Sequence, residues 1–218
     1  MGESIEFKRP DGGSCPAYET GDAELAVILL QEWWGLNPQI KGLADRLAGE
    51  GFRVLVPDLF RGKVTTDADE ANHLMTGLDF MDATTQDIQG AASYLRERAA
   101  KVAVMGFCMG GALTLLSSAK VDGVDAGVCL YGIPPAEALD PSTIRVPLSC
   151  HFGTKDYWCT PDVVKALTER LEAGSVSYEL FNYEADHAFM NEARPEVYDR
   201  AAAELAWQRS VDFLRRVL

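Results

Sequence analysis

The stretch "KVAVMGFCMGGALTLL", Lys101 to Leu116, decides how the chain is read. Its first half is an apolar run without alternation, as expected of a strand covered on both faces, and its second half is a run of helix formers. The change falls at Gly106-Phe107-Cys108-Met109-Gly110, which has the form G-x-nucleophile-x-G between strand and helix. Such a turn strains the backbone of its central residue and needs glycine where neighbouring elements pack closely. It would thrust Cys108 out above a sheet. The free N–H groups of the following helix would favour a thiolate there, and the Met109 N–H is a candidate donor to an oxyanion. The alternative is an ordinary buried thiol, which is how Cys129 and Cys150 read, since both lie within apolar strands.

Around this turn, short β-rich runs alternate with longer amphipathic ones, predicting a mostly parallel sheet of about eight strands with helices on both faces. The strands are expected at Ser4–Lys8, Cys15–Tyr18, Leu25–Gln31, Arg53–Pro57, Lys101–Phe107, Ala126–Tyr131, Pro147–Phe152 and Val176–Tyr183. The first two flank "RPDGGS" and read as an antiparallel hairpin at the edge. Helices are expected from Asn37-Pro38 to about Gly49, and over Ala83–Ala100, Met109–Ala119, Pro161–Glu172 and Pro195–Val217. Phe60–Asp82 is irregular and reads as a loop or short helical excursion over the sheet rim. No linker, repeat or low-complexity segment interrupts the chain, so one domain over residues 1–218 is expected.

Composition narrows the partners. With 33 acidic against 20 basic residues, a net charge of −13 opposes nucleic acid and anionic membranes. No window has the roughly 18 apolar residues of a membrane span, and the first residues lack the order of a signal peptide. The five cysteines are odd in number and form no C-x-x-C pair, so neither a disulfide framework nor a zinc ribbon is expected. These features predict a cytoplasmic protein that needs no metal or cofactor. Monomer and dimer fit the sequence equally well.

A nucleophile at Cys108 needs a base and an orienting acid, and the chain has only three histidines. His73 lies in the irregular segment and reads as solvated, and His151 lies within a strand and reads as core. His187, in "EADHAFMNEARP", follows the last strand, where an imidazole can overhang the C-terminal edge of the sheet. Asp156 in "HFGTKDYW" follows the preceding strand, with Asp162 and Asp186 as alternative acids. The order Cys108, Asp156, His187 is that of an α/β-hydrolase. Glu32, in "LLQEWWG", directly follows the third strand, where that fold carries its second oxyanion donor. A carboxylate there is costly unless paired or exposed, and a solvent-facing loop glutamate is the alternative. Trp33 then offers the second oxyanion N–H.

"GFCMGG", "QEWWG", "PDLFRG", "GTKD" and "HAFMNEARP" together resemble the dienelactone hydrolase family, from Gln31 to Pro195. The resemblance implies the α/β-hydrolase fold and hydrolysis of enol-lactones such as dienelactone to maleylacetate, in bacterial degradation of aromatic compounds. It implies attack by Cys108, a triad completed by His187 and Asp156, and a Glu32 that generates the thiolate once a substrate carboxylate displaces it. In the family two arginines hold that carboxylate. Arg61 stands near the position of the first, the position of the second is Asn191, and Arg194 is a candidate replacement. Trp33, Trp34, Phe60, Phe107, Trp158 and Phe189 are candidates for an apolar pocket, each with plain core as its alternative. A small-molecule lactone or activated ester is the expected substrate, because an enolate leaves a thiolate adduct more readily than an amine does. A broader carboxylesterase and a redox-sensing protein on the same scaffold are the rival readings.

Overall fold

The computed structural model describes residues 2–218. Its strands are β1 (Glu3–Lys8), β2 (Ser14–Thr20), β3 (Leu25–Leu30), β4 (Arg53–Pro57), β5 (Lys101–Phe107), β6 (Ala126–Leu130), β7 (Leu148–Gly153) and β8 (Tyr178–Tyr183). They form one eight-stranded sheet in the order β1-β2-β4-β3-β5-β6-β7-β8. The β1–β2 hairpin and the β2–β4 pair are antiparallel, and every pairing from β4 to β8 is parallel. The eight expected strands are all present, each boundary within two residues of its expected place. Apolar runs without alternation mark them because helices cover both faces.

Helices α1 (Pro38–Gly49) and α7 (Arg200–Val217) cover one face, and α4 (Gln89–Arg96), α5 (Met109–Lys120) and α6 (Pro161–Ala173) the other. Strand β3 shows how one sequence serves both: Val27 and Leu29 pack towards α1 and α7, while Ala26, Ile28 and Leu30 pack towards α4 and α5. Each fully buried Leu or Ile on such a strand contributes about 1.5–3 kcal/mol of burial free energy.

Two helix starts differ from expectation, both because an aspartate caps the chain, and the helix expected to reach Ala100 ends at Arg96. Asp199 accepts from Ala202 N, so α7 starts at Arg200, and residues 195–199 form a turn closed by bonds from Val197 and Tyr198 N to Arg194 O. Asp79 accepts from Met81 and Asp82 N and starts a helical turn, α3 (Phe80–Asp82). That turn passes through a π-helical segment, Ala83–Ile88, into α4, which ends at Arg96. Within the irregular stretch, Asp67 caps a further helix, α2 (Ala68–Thr76).

The junction of β5 and α5 positions the site. A Cβ on Gly106 would stand 2.1 Å from the Gly110 carbonyl oxygen, and one on Gly110 would stand 2.5 Å from Leu30 O. Only bare backbone fits where α5 crosses over β5 and β3. Cys108, between the two glycines, has φ 54° and ψ −116°, a conformation that non-glycine residues rarely take.

Candidate active site

Five strands that are neighbours in the sheet each deliver one side chain at their C-terminal ends. In spatial order these are Glu32 after β3, Cys108 after β5, Tyr131 after β6, Asp156 after β7 and His187 after β8. All but Asp156 line one cavity of about 640 Å³. Open α/β sheets bind their ligands at this edge.

Cys108 Sγ lies 3.2 Å from His187 Nε2, and His187 Nδ1 lies 2.7 Å from Asp156 Oδ2. The other Asp156 oxygen accepts from the Trp158 and Cys159 backbone N–H groups at 2.7 and 2.9 Å, which locks the carboxylate in place. Burial opposes a charge on His187, but its hydrogen bonds to Asp156 and Cys108 outweigh burial and push the imidazole up to about 10. Asp162 lies in the first turn of α6, which Thr160 caps, and Asp186 is exposed; neither joins this chain of contacts. His73 is exposed, and His151 is fully buried between Ser149 Oγ and the Tyr183 hydroxyl, with burial holding its pKa down to about 3.

Glu32 is buried and paired. The Asn191 amide donates to its Oε2, and the Tyr131 hydroxyl donates to its Oε1 at 3.2 Å. Burial pushes its pKa up, opposed by Asn191, His187 and Tyr131. No hydrogen bond links Glu32 to Cys108 among the described residues. The Tyr131 ring also packs edge-on against His187 at 5.4 Å and against Phe189 at 5.3 Å. Three non-glycine residues on this cavity, Cys108, Tyr131 and Ala188, have positive φ of 54°, 40° and 61°. Strained backbone of this kind gathers at functional sites.

Trp33, Trp34, Trp158, Met109 and Arg194 line the cavity, as the sequence reading expects. Arg61, Phe60, Phe107 and Phe189 do not, and each has another role. Arg61 Nη2 is 2.6 Å from the buried carboxylate of Asp87 on the π-helical segment, and its Nη1 donates to Asp58 O and Cys15 Sγ. Phe60 packs in the core under α4 and α5, while Phe107 and Phe189 pack in the core under α1 and α7. Asn191 is 1% exposed and committed to Glu32, so it is no stand-in for a substrate-binding arginine.

The sequence reading missed Tyr131, Asn191 as the partner of Glu32, and the far wall of the cavity. That wall is Gly132–Ala136 facing Val163, Ala166, Leu167 and Arg170 of α6, with Met75 of α2 and Phe80 of α3 nearby. A tyrosine ending a parallel strand, next to a glycine, was the one available signal. Among the described residues no group of three or more His, Cys, Asp or Glu is arranged to hold a metal ion, and no helix is long and apolar enough to cross a membrane.

Comparison with known proteins gives one consistent match. The profile of the Dienelactone hydrolase family matches residues 16–218. "Protein usf" of Aquifex pyrophilus is 33% identical over the whole of both chains. "Carboxymethylenebutenolidase 1" of Cupriavidus pinatubonensis is 29% identical over 98% of this chain and 97% of its own. The crystal structure of the "Putative Dienelactone Hydrolase" from Klebsiella pneumoniae subsp. pneumoniae superposes with a TM-score of 0.86 at 26% identity, covering 99% of each chain.

Proposed function

The chain belongs to the dienelactone hydrolase family and is a hydrolase of esters or lactones, and from that premise we propose that Cys108 is its nucleophile, with His187 as base and Asp156 as the orienting acid. The observation that carries this reading is the unbroken contact chain Cys108 Sγ, His187 Nε2, His187 Nδ1, Asp156 Oδ2, with its links at 3.2 and 2.7 Å.

In this mechanism the Cys108 proton rests on His187 Nε2, whose raised pKa favours the imidazolium form beside a thiolate, and the thiolate attacks the ester carbonyl carbon. The resulting oxyanion is stabilised by the Met109 and Trp33 N–H groups, neither of which has a hydrogen-bond partner among the described residues. Collapse breaks the C–O bond, and His187 returns its proton to the departing alkoxide, leaving a thioester on Cys108. Water, deprotonated by His187, then attacks the thioester through a second oxyanion. The carboxylic acid leaves and the thiol regains its proton. Asp156 keeps the imidazole in the tautomer that presents Nε2 to sulfur.

Glu32 acts on this chemistry through space, because its two oxygens already accept from Asn191 and Tyr131. A negative charge beside a thiol opposes thiolate formation, whereas a neutral carboxyl does not. Burial favours the neutral form of Glu32, which relaxes that brake.

Cys108→Ala is expected to lower kcat for p-nitrophenyl acetate by roughly a thousandfold or more, and Cys129→Ala to leave it near wild type. Hydrolysis by Cys108→Ala at the wild-type rate overturns the assignment.

A further inference from the structure

Along α6, Val163, Ala166, Leu167 and Arg170 all line the cavity, at positions i, i+3, i+4 and i+7. One helix face therefore borders it over about 10 Å, at 1.5 Å per residue. The helix begins beside the loop that carries Asp156, so this face runs away from the reacting centre. Opposite lie Ile133 to Ala136, and the two prolines among them, Pro134 and Pro135, have no N–H to offer. At the far end the Arg170 guanidinium donates to the carbonyls of Ala136 and Leu139 and ties the two walls together. The groove is apolar along its length and stopped by a guanidinium whose Nη2 is held by two backbone carbonyls.

The other arginine on the cavity, Arg194, is paired with Glu196 and lies over the Trp34 ring at 4.9 Å. With Arg61 on Asp87 and Asn191 on Glu32, only Arg194 of the side chains considered for a substrate carboxylate lines the cavity, and its Nε is already on Glu196. The mouth exposes Trp158 at 51% and Val163 at 40%, apolar surface that marks a place where apolar ligands enter.

We propose that the groove between α6 and Ile133–Ala136 binds a linear, uncharged hydrocarbon chain of the ester, with Arg170 as its end stop, so that this hydrolase prefers medium-chain neutral esters to carboxylated lactones. The inference rests on the Cys108 reading above and adds the substrate class. Burying each methylene in the groove raises kcat/KM by about two- to fourfold until the chain reaches Arg170.

The test is kcat/KM for p-nitrophenyl acetate, butyrate, hexanoate, octanoate and laurate, beside a parallel series of alkyl acetates that lengthens the alcohol instead. A rise of about tenfold or more from acetate to octanoate, falling at laurate, is expected in one of the two series, and that series tells which side of the ester carries the chain. Ala166→Phe, at an exposed position that needs no repacking, should lower the octanoate-to-acetate ratio at least about tenfold. Arg170→Ala should raise the laurate-to-octanoate ratio. A flat profile in both series, or a succinate half-ester hydrolysed better than the butyrate ester, overturns the proposal. Failure of the Cys108 reading would show separately, as acetate hydrolysis that survives Cys108→Ala.

Discussion

Cys108 holds a φ of 54°, a conformation that costs on the order of 1–3 kcal/mol for a non-glycine residue and that the surrounding fold maintains, with the sulfur 3.2 Å from His187 Nε2. The imidazole there is pushed up to about 10, above the ordinary value of about 6.5. A folded-state pKa raised in this way stabilises the native state fully below about pH 6.5, and the contribution is lost as pH rises through about 10. The groups facing it are Asp156 and Cys108, with the rings of Tyr131, Tyr157 and Trp158 around them. Asp156→Asn removes one of the two hydrogen-bond partners that raise the value, so the alkaline limb of the kcat/KM profile is expected to move down by roughly one unit or more. A limb that stays near 10 would show that Asp156 does not set the protonation of His187. At this scale the sequence was legible where motif and chain order suffice, as for Cys108, Asp156 and His187. It misled for Arg61, whose partner Asp87 is 26 residues away on a π-helical segment with no sequence signature. The contact of Asn191 with Glu32, 159 residues apart, leaves no local trace either.

The β5–α5 junction is the element on which the geometry depends. A Cβ on Gly110 would meet Leu30 O at 2.5 Å and Gln31 O at 2.7 Å, both backbone atoms that cannot swing aside. Gly110→Ala is therefore expected to destabilise the fold by about 1–3 kcal/mol in urea unfolding and to lower kcat as well, since α5 carries Met109. Gly42→Ala on α1, with nothing within 4 Å of its Cβ, is the matched control and should not destabilise. Equal stability of Gly110→Ala and wild type would refute the close-approach account. Strands were readable because their apolar runs are bounded by turn residues. Phe107 and Phe189 were misassigned because chain neighbours of site residues need not reach the cavity: both are buried in the core under α1 and α7.

At the scale of the whole molecule, a net charge of −13 sets the long-range field that any substrate crosses. Raising ionic strength from about 0.01 M to about 1 M shortens the screening length from about 30 to about 3 Å. Cleavage of a negatively charged ester should speed up severalfold, while a neutral ester of the same length should hardly respond. Identical salt responses from the two would mean that the acidic surface does not reach the cavity mouth. The acidic balance and the strand segments were both legible in the composition and pattern of the chain, whereas the cavity was not, because its walls come from α2, α3, α5, α6 and five loops that only the folded sheet brings together. That arrangement also bears on biosynthesis. His187 follows β8, an edge strand and the last strand of the sheet to leave the ribosome, while Cys108 emerges 79 residues earlier. Until β8 docks on β7, the thiol has no imidazole beside it. A chain cut before His187 would carry a cysteine without its base, so esterase activity reports that β8 has docked on β7.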